Sequence, residues 1–276
     1  MAGSAPRVQG VGMVSQRSRS LRRRLARIGA IVGVVLVAIA GLAASAGFFD
    51  RDAAHRFGPH GGRRPLGVLY VSGDMGLRYG PNPHTVRALA AQGFPVLALS
   101  SPALFGLHRT RAEVDRIIAD GVRRALADTG TTRLMLIGQS YGADVLQTGL
   151  ADLPGALRAH VAGVVLVVPG ETVFFRADPS GIAYRGTPDS DSRRTLPRLD
   201  WTPLTCIYGA AETDSACPAL RGARATVVAM PGGHYLGDDH AGLSAQILTA
   251  MRRAAPQAFV QGFNMNSAAP ARARRL

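Results

Sequence analysis

Apolar residues form one long block near the start of the chain and a series of shorter blocks after it. The long block covers residues 28–49, which carry no charged side chain and are rich in Val, Ala, Ile and Leu. Its 22 residues suffice for a helix that crosses a hydrocarbon core of about 30 Å. The block therefore predicts a transmembrane anchor or a signal sequence, preceded by a basic, disordered segment at residues 1–27.

The flanks of this block predict its orientation. Arginines precede it and Asp50 follows it, so the positive-inside rule keeps the N-terminus in the cytoplasm and exports the rest. A cleaved signal peptide is the alternative, because Ala44-Ser45-Ala46 resembles a signal-peptidase site. The block is longer than the apolar part of an ordinary signal peptide, which favours an anchor. We expect the remaining chain on the periplasmic side of the inner membrane, anchored by residues 28–49 or released by cleavage after Ala46.

The shorter blocks predict a folded domain over residues 65–255, between a Gly- and Pro-bearing linker at 50–64 and a flexible basic tail at 256–276. Six of them are typical of buried strands: residues 66–71, 95–99, 133–137, 161–168, 203–208 and 225–230. Helices are predicted at residues 84–92, 110–128 and 238–252. This alternation predicts a three-layer α/β sandwich around a mostly parallel sheet.

The segment around Ser140 carries the strongest functional signal. An apolar strand at residues 134–137 runs into Gly138-x-Ser140-x-Gly142, and an Ala/Val/Leu-rich helix follows. This is the nucleophile-elbow pattern, in which a sharp turn lifts a strained serine above the carboxyl edge of the sheet. With the alternating elements, it predicts an α/β-hydrolase-like fold with Ser140 as the nucleophile. A Gly/Ser turn without chemistry is the alternative interpretation.

An elbow serine needs a histidine base later in the chain. The histidines are His55, His60, His84, His108, His160, His234 and His240. Only the last two follow the late strands. His234 lies in a Gly-Gly-His loop directly after the sixth strand, where a base can reach Ser140, whereas His240 is expected to begin the closing helix and to point elsewhere.

The acid that orients this base should follow the fifth strand, just past Gly209. Two carboxylates occur there, Glu212 and Asp214. Counting forward from Gly209 favours Glu212, and counting back from Pro218 favours Asp214. Because aspartate is the commoner orienting acid, we give the preference to Asp214 and keep Glu212 as the alternative.

The oxyanion hole of such a site needs two backbone N–H groups. The N–H of Tyr141, immediately after the nucleophile, is one candidate. The loop after the first strand, Ser72-Gly73-Asp74-Met75-Gly76, offers the second through the N–H of Asp74 or Met75. A simple turn at the strand end is the alternative for this loop.

A long irregular insertion at residues 170–200 separates the fourth and fifth strands. It contains Phe174, Phe175, Pro179 and Tyr184 together with several charges. In α/β-hydrolases this region commonly carries a lid or cap over the site, so we expect one here. A disordered surface loop is the alternative.

Cys206 and Cys217 are the only cysteines and flank the loop with the candidate acids. In an exported domain, two cysteines at this spacing predict a disulfide that pins the loop. A metal site is not indicated, because two cysteines with no nearby histidine cannot complete a coordination shell. The predicted chemistry calls for no cofactor.

The formal net charge is +14, and much of the excess lies at the two ends of the chain. The arginines there include Arg17, Arg19, Arg22, Arg23, Arg24 and Arg27 at the start, and Arg272, Arg274 and Arg275 at the finish. This placement does not indicate a nucleic-acid-binding face. It predicts an anionic membrane lipid as the partner surface.

Four motifs together resemble the bacterial virulence protein family typified by VirJ and AcvB. They are Ser72-Gly73-Asp74-x-Gly76, Gly138-x-Ser140-x-Gly142-Ala143-Asp144-Val145, the run from Cys206 to Pro218, and Pro231-Gly232-Gly233-His234. The resemblance covers roughly residues 65–252 and implies an exported α/β-hydrolase of the cell envelope. AcvB-like members imply hydrolysis of lysyl-phosphatidylglycerol, and VirJ-like members imply a link to type IV secretion. The family's loop usually reads S-G-D-G-G-W, where this chain has Met75 and Leu77.

Two functions follow as hypotheses. The first is a serine hydrolase that cleaves an aminoacyl ester of phosphatidylglycerol. Asp74 and Asp144 would bind the cationic headgroup. The predicted site loops carry further acidic residues, which are Glu212, Asp214, Asp238 and Asp239. The second is an envelope interaction protein that assists type IV secretion through its secretion-system partners and uses the fold without catalysis. A complete order of serine, acid and histidine favours the first hypothesis.

Overall fold

The computed structural model describes residues 12–59 and 65–260. By its internal contacts the chain divides after Ser45 into an N-terminal unit and a second unit, called here the globular unit. The expectations for residues 1–11, for His60 and for Arg272, Arg274 and Arg275 lie outside the described residues.

The described part of the N-terminal unit belongs to one long helix, α1, at Gly12–Ala46. Its stretch Leu21–Ala46 is the one helix among the described residues that is long and apolar enough to cross a membrane or serve as a signal sequence. Two boundaries differ from the prediction. Residues 12–27, expected to be disordered, are helical, and the helix ends at Ala46 because a turn with Gly47 at φ 95° follows it.

The sheet of the globular unit has seven strands in the order β1-β3-β2-β4-β5-β8-β9. These strands are β1 Ala54–Phe57, β2 Leu66–Val71, β3 Val96–Leu99, β4 Arg133–Gln139, β5 Val161–Val167, β8 Leu204–Gly209 and β9 Thr226–Met230. All neighbours run parallel except β1, which pairs antiparallel with β3. The predicted α/β architecture with a mostly parallel sheet is confirmed.

Helices cover both faces of the sheet and form two separate cores. They are α2 Asn82–Ala91, α3 Ser101–Phe105, α4 Arg111–Thr129, α5 Tyr141–Ala151, α6 Gly155–Arg158, α8 His240–Ala254 and α9 Gln257–Val260. One core packs α4 and α5 against the sheet, and the other packs α2 and α8 against the opposite face. Because the parallel strands end at one edge, the loops that follow β2, β4, β5, β8 and β9 all supply residues to the cavity beside Ser140.

Two segments predicted to be irregular are in part ordered. The linker at 50–64 contains β1, a four-residue edge strand whose Arg56 bonds Asp128. The tail begins with α9, whose Phe259 ring lies 5.3 Å from that of Phe94. Both segments are short and draw their order from contacts distant in sequence, which local patterns do not reveal.

The insertion is a chain of short elements. A two-stranded ribbon pairs β6 Thr172–Val173 with β7 Ser190–Asp191, and α7 Ser192–Thr195 follows it. The amide of buried Gln147, on α5, donates to Ser192 Oγ at 3.1 Å and so fastens this segment to the helix behind the elbow. The insertion is therefore a packed wall rather than a loose loop.

Candidate active site

Ser140 sits on a strained turn between β4 and α5. Its backbone has φ 54° and ψ −129°, a combination that residues other than glycine adopt only when the surroundings impose it. Gly138 and Gly142 make the turn sterically possible. A Cβ on Gly138 would lie 2.6 Å from Ala143 Cα, and one on Gly142 would lie 2.2 Å from the carbonyl oxygen of Val71.

A continuous hydrogen-bonded chain joins Ser140 to a histidine and a carboxylate. Ser140 Oγ lies 2.8 Å from His234 Nε2, and His234 Nδ1 lies 2.8 Å from Glu212 Oε1. The carboxylate fixes the proton on Nδ1 and leaves Nε2 to accept the serine proton. This arrangement can activate the hydroxyl for attack on a carbonyl carbon.

Glu212, rather than the preferred Asp214, contacts the imidazole. The chain turns tightly after β8, since Glu212 N donates to the carbonyl of Gly209 at 2.9 Å. The longer glutamate side chain then folds back, accepts from Gly209 N at 2.9 Å through Oε2 and reaches His234 with Oε1. Asp214 instead lies toward the insertion, where its carbonyl accepts from Glu171 N at 2.9 Å.

The buried carboxylate also tunes the base. The hydrogen bond that His234 Nδ1 donates to Glu212 is the main cause that raises the pKa of His234 above its ordinary value of 6.5, and burial acts against it. The Glu212 side chain is only 5% exposed, so its negative charge is weakly screened by water at the imidazole.

The loop at residues 72–76 is held against the elbow by buried polar contacts. Gly73 N donates to Asn82 Oδ1 at 3.1 Å, and the Tyr70 hydroxyl lies 2.8 Å from the same oxygen and 2.6 Å from Gln139 Oε1. Asp74 and Met75 thereby line the same cavity as Ser140 and Tyr141. Sequence reasoning missed Tyr70, Asn82 and Gln139, whose spacing carries no local signal.

A cavity of about 550 Å³ opens beside the serine. Its wall combines the insertion with acidic and aromatic side chains: Asp74, Asp144, Glu171, Phe174, Tyr184, Glu212, Asp214 and Tyr235. A smaller recess of about 70 Å³, lined by residues 79–82, reaches Ser140 and His234 as well. The two spaces meet at Ser140 and His234. Asp238 and Asp239 are not among the residues that line the cavity.

Asp144 lies on the first turn of α5, inside this cavity wall. Its Oδ1 accepts from Gly170 N at 2.8 Å, and burial raises its pKa from 3.8 to about 8. Asp74 is also raised in pKa by burial and accepts a hydrogen bond from the Tyr184 hydroxyl at 3.0 Å. Two carboxyl groups are thus held in a place that disfavours their charge unless a cation joins them.

The hydroxyl of Tyr141 is buried and has no hydrogen-bond partner among the described residues. Its ring stacks on Tyr184 with centroids 6.2 Å apart, so the insertion and the elbow share an aromatic wall. A buried hydroxyl without a partner is costly and marks a place where a ligand or a water can complete the bond.

The remaining histidine after the late strands lies apart from this site. His240 begins α8, and its ring stacks on His84 with centroids 4.2 Å apart. His240 therefore packs against α2 rather than against Ser140, as the sequence predicted.

Cys206 and Cys217 form a disulfide across the acid loop. We expect Cys206→Ser/Cys217→Ser to lower the free energy of unfolding by about 2–3 kcal/mol, because the bridge removes entropy from the unfolded chain. Guanidinium unfolding of the oxidised wild type and the double variant measures this difference. An unchanged midpoint would contradict a stabilising role.

The sheet and the turn at Ser140 define an α/β-hydrolase-like fold. The sequence profile of the bacterial virulence protein family VirJ matches residues 66–255. The chain therefore belongs to the VirJ family. A search of curated proteins found no match.

Solved structures agree on the fold. An esterase of Pyrococcus furiosus superposes with a TM-score of 0.52 at 15% identity, over 69% of this chain and 82% of that one. A lipase-esterase related protein from Clostridium acetobutylicum gives 0.50 at 15% identity, over 72% and 99%. At such identities the likeness establishes the fold alone.

Proposed function

We propose that the protein is a cell-envelope serine hydrolase that cleaves a carboxylic ester with a cationic acyl group, and that aminoacyl phosphatidylglycerol is its substrate. The observation that carries the proposal is the chain from Ser140 through His234 to Glu212, which opens into an acidic cavity. Similarity to esterase folds agrees with this class of reaction.

In this mechanism Ser140 attacks the ester carbonyl while His234 takes the hydroxyl proton. Collapse of the tetrahedral intermediate releases the alcohol, which receives that proton from His234. Water, activated by the same imidazole, then hydrolyses the acyl-enzyme. The N–H groups of Tyr141 and of Asp74 or Met75 stabilise the oxyanion.

The charge of the cavity supports a cationic acyl group. Asp144 and Asp74 lie in its wall with pKa values raised by burial. An ammonium group that binds beside them favours the ionised form of both carboxyl groups and so lowers their pKa values again. Aromatic rings of Phe174 and Tyr184, 5.4 Å apart, add faces that attract a cation.

The first segment and the disulfide support a location for the enzyme. A disulfide fits an oxidising compartment, and α1 fits a membrane anchor. Ala46 is only 3% exposed within the globular unit, so cleavage after it would disturb a packed segment. These features support a retained anchor with the site on the periplasmic side.

The substrate proposal predicts a graded preference among glycerol esters of lysine, norleucine and hexanoic acid, which lose one ammonium at each step. We expect kcat/KM to fall along this series in the wild type. Asp144→Asn keeps the acceptor for Gly170 N but cannot become the carboxylate that a bound ammonium stabilises, and it should lower kcat/KM for the lysyl ester about tenfold and flatten the series.

Glu171→Gln is the matched control, because Glu171 lines the same cavity but is already paired with Arg193 at 3.0 Å. Glu171→Gln should change the ratios of kcat/KM among the three esters much less than Asp144→Asn does. A wild type that prefers the hexanoyl ester would refute the cationic acyl group. A folded wild type that cleaves none of the three would favour the interaction role in secretion.

A further inference from the structure

A second cavity, distinct from the candidate active site, lies beside the start of the globular unit. It has a volume of about 440 Å³ and is called here the basic cavity. Its polar lining comes from six residues: Asp50, His55, Arg78, His84, Arg87 and Ser100. None of them takes part in the chain from Ser140 to Glu212.

The cavity carries a positive charge that its own acid does not neutralise. Asp50 Oδ2 lies 3.5 Å from Arg78 Nη2, and this ion pair neutralises one of the two guanidinium charges. Arg87 is exposed on α2 and has no carboxylate within salt-bridge distance in the described part of the chain. His55 and His84 add two imidazoles to the same wall. Such a set favours an anionic ligand.

A buried hydroxyl in this wall points to a polar ligand. Ser100 is 2% exposed and lines the basic cavity, yet its Oγ has no hydrogen-bond partner among residues 12–59 and 65–260. Pro83 and His84, on the first turn of α2, lie at the cavity too. Pro83 has no N–H and His84 N donates to the carbonyl of Pro81 at 3.1 Å, so this helix end contributes only the positive side of its dipole. A phosphate oxygen can accept hydrogen bonds from Ser100 Oγ and from Arg87.

The remaining wall and the chain path identify the source of that phosphate. Phe57, Leu77 and Val86 supply apolar surface beside the charges, which suits the glycerol and first acyl carbons of a lipid. Ala46, the last residue of the apolar helix, lines the cavity as well. If α1 crosses a bilayer, chain connectivity alone keeps the cavity within reach of the lipid headgroups.

We propose that the basic cavity binds the phosphate of an anionic membrane phospholipid and docks the globular unit on the bilayer. It acts as a binding site separate from catalysis. Leu77 and Arg78 belong to the same loop that supplies Asp74 and Met75 to the other cavity, so docking here would also orient the candidate active site toward the membrane.

The test uses the full chain in detergent micelles, in a Ser140→Ala background that removes hydrolysis from the readout. Calorimetric titration measures binding of dihexanoyl-phosphatidylglycerol, dihexanoyl-phosphatidylcholine and inorganic phosphate. We expect the phosphatidylglycerol probe to bind tightest, and Arg87→Gln to weaken it about tenfold. Arg87→Lys should restore part of the loss.

Arg116→Gln is the matched control, since Arg116 is an exposed arginine on α4, at the opposite face of the sheet. It should leave binding unchanged. Equal affinity for phosphatidylcholine, or an Arg87→Gln protein that binds like the control, would overturn the proposal. Inorganic phosphate that binds as tightly as phosphatidylglycerol would overturn the lipid source.

Discussion

Replacing Ser140 or His234 by alanine should lower ester hydrolysis by about 10³-fold or more while the fold stays intact. Ser140 Oγ is the atom that would bond the acyl carbon, and His234 Nε2 lies 2.8 Å from it as the proton acceptor. Because the two groups act as a unit, the double variant should be no slower than either single variant.

The measurement is turnover of the lysyl glycerol ester by purified protein, together with mass spectrometry of lipid extracts from strains that carry each variant. Aminoacyl lipid should accumulate in the variant strains. His160→Ala serves as the control. His160 lies at the amino end of β5, at the opposite end of the strand from the site, and its Nδ1 is hydrogen-bonded to the carbonyl of Thr132. Near-normal turnover by Ser140→Ala would remove this serine as the nucleophile.

The central strands of the sheet were predictable because they are buried on both faces and so are largely apolar. The predicted strand at 66–71 coincides with β2, every residue of which is buried. The strand β1 was missed for the opposite reason. It is a short edge strand in which only Ala54 is buried, and it lies in a segment rich in Gly and Pro.

The elbow was predictable because its constraint is local. The close approaches at Gly138 and Gly142 arise within the turn or with the neighbouring strand, so the glycines appear in the sequence at a fixed spacing. The acid is different. Whether Glu212 or Asp214 meets the imidazole depends on how the chain turns after β8 and on side-chain length, neither of which residue type alone decides.

The wall of the cavity is the least predictable part. Tyr184 reaches Asp74 over 110 positions of sequence, and the insertion that carries it has no periodicity. Asp144, predicted from the sequence as a substrate ligand, lies on the first turn of α5 and also lines the cavity. The helix dipole favours a negative charge at the same place.

Glu212→Gln should lower kcat/KM by about 10²–10⁴-fold, whereas Asp214→Asn should retain most of the activity. Glutamine keeps the side-chain length, and its oxygen can still accept from Gly209 N. Its amide then presents N–H groups to His234 Nδ1, which favours the tautomer that carries the proton on Nε2. An imidazole in that tautomer cannot accept the proton of Ser140.

The same substitution should move the pH profile in a defined direction. The neutral imidazole is the active form, so kcat/KM falls as the pH drops through the pKa of His234. Because Glu212 raises that pKa, Glu212→Gln should shift the acid limb of the residual activity to lower pH. Asp214, whose charge contributes less to the raised pKa, should give a smaller shift in the same direction. Circular dichroism checks that both variants fold. If Asp214→Asn abolishes turnover and Glu212→Gln does not, the orienting acid is Asp214.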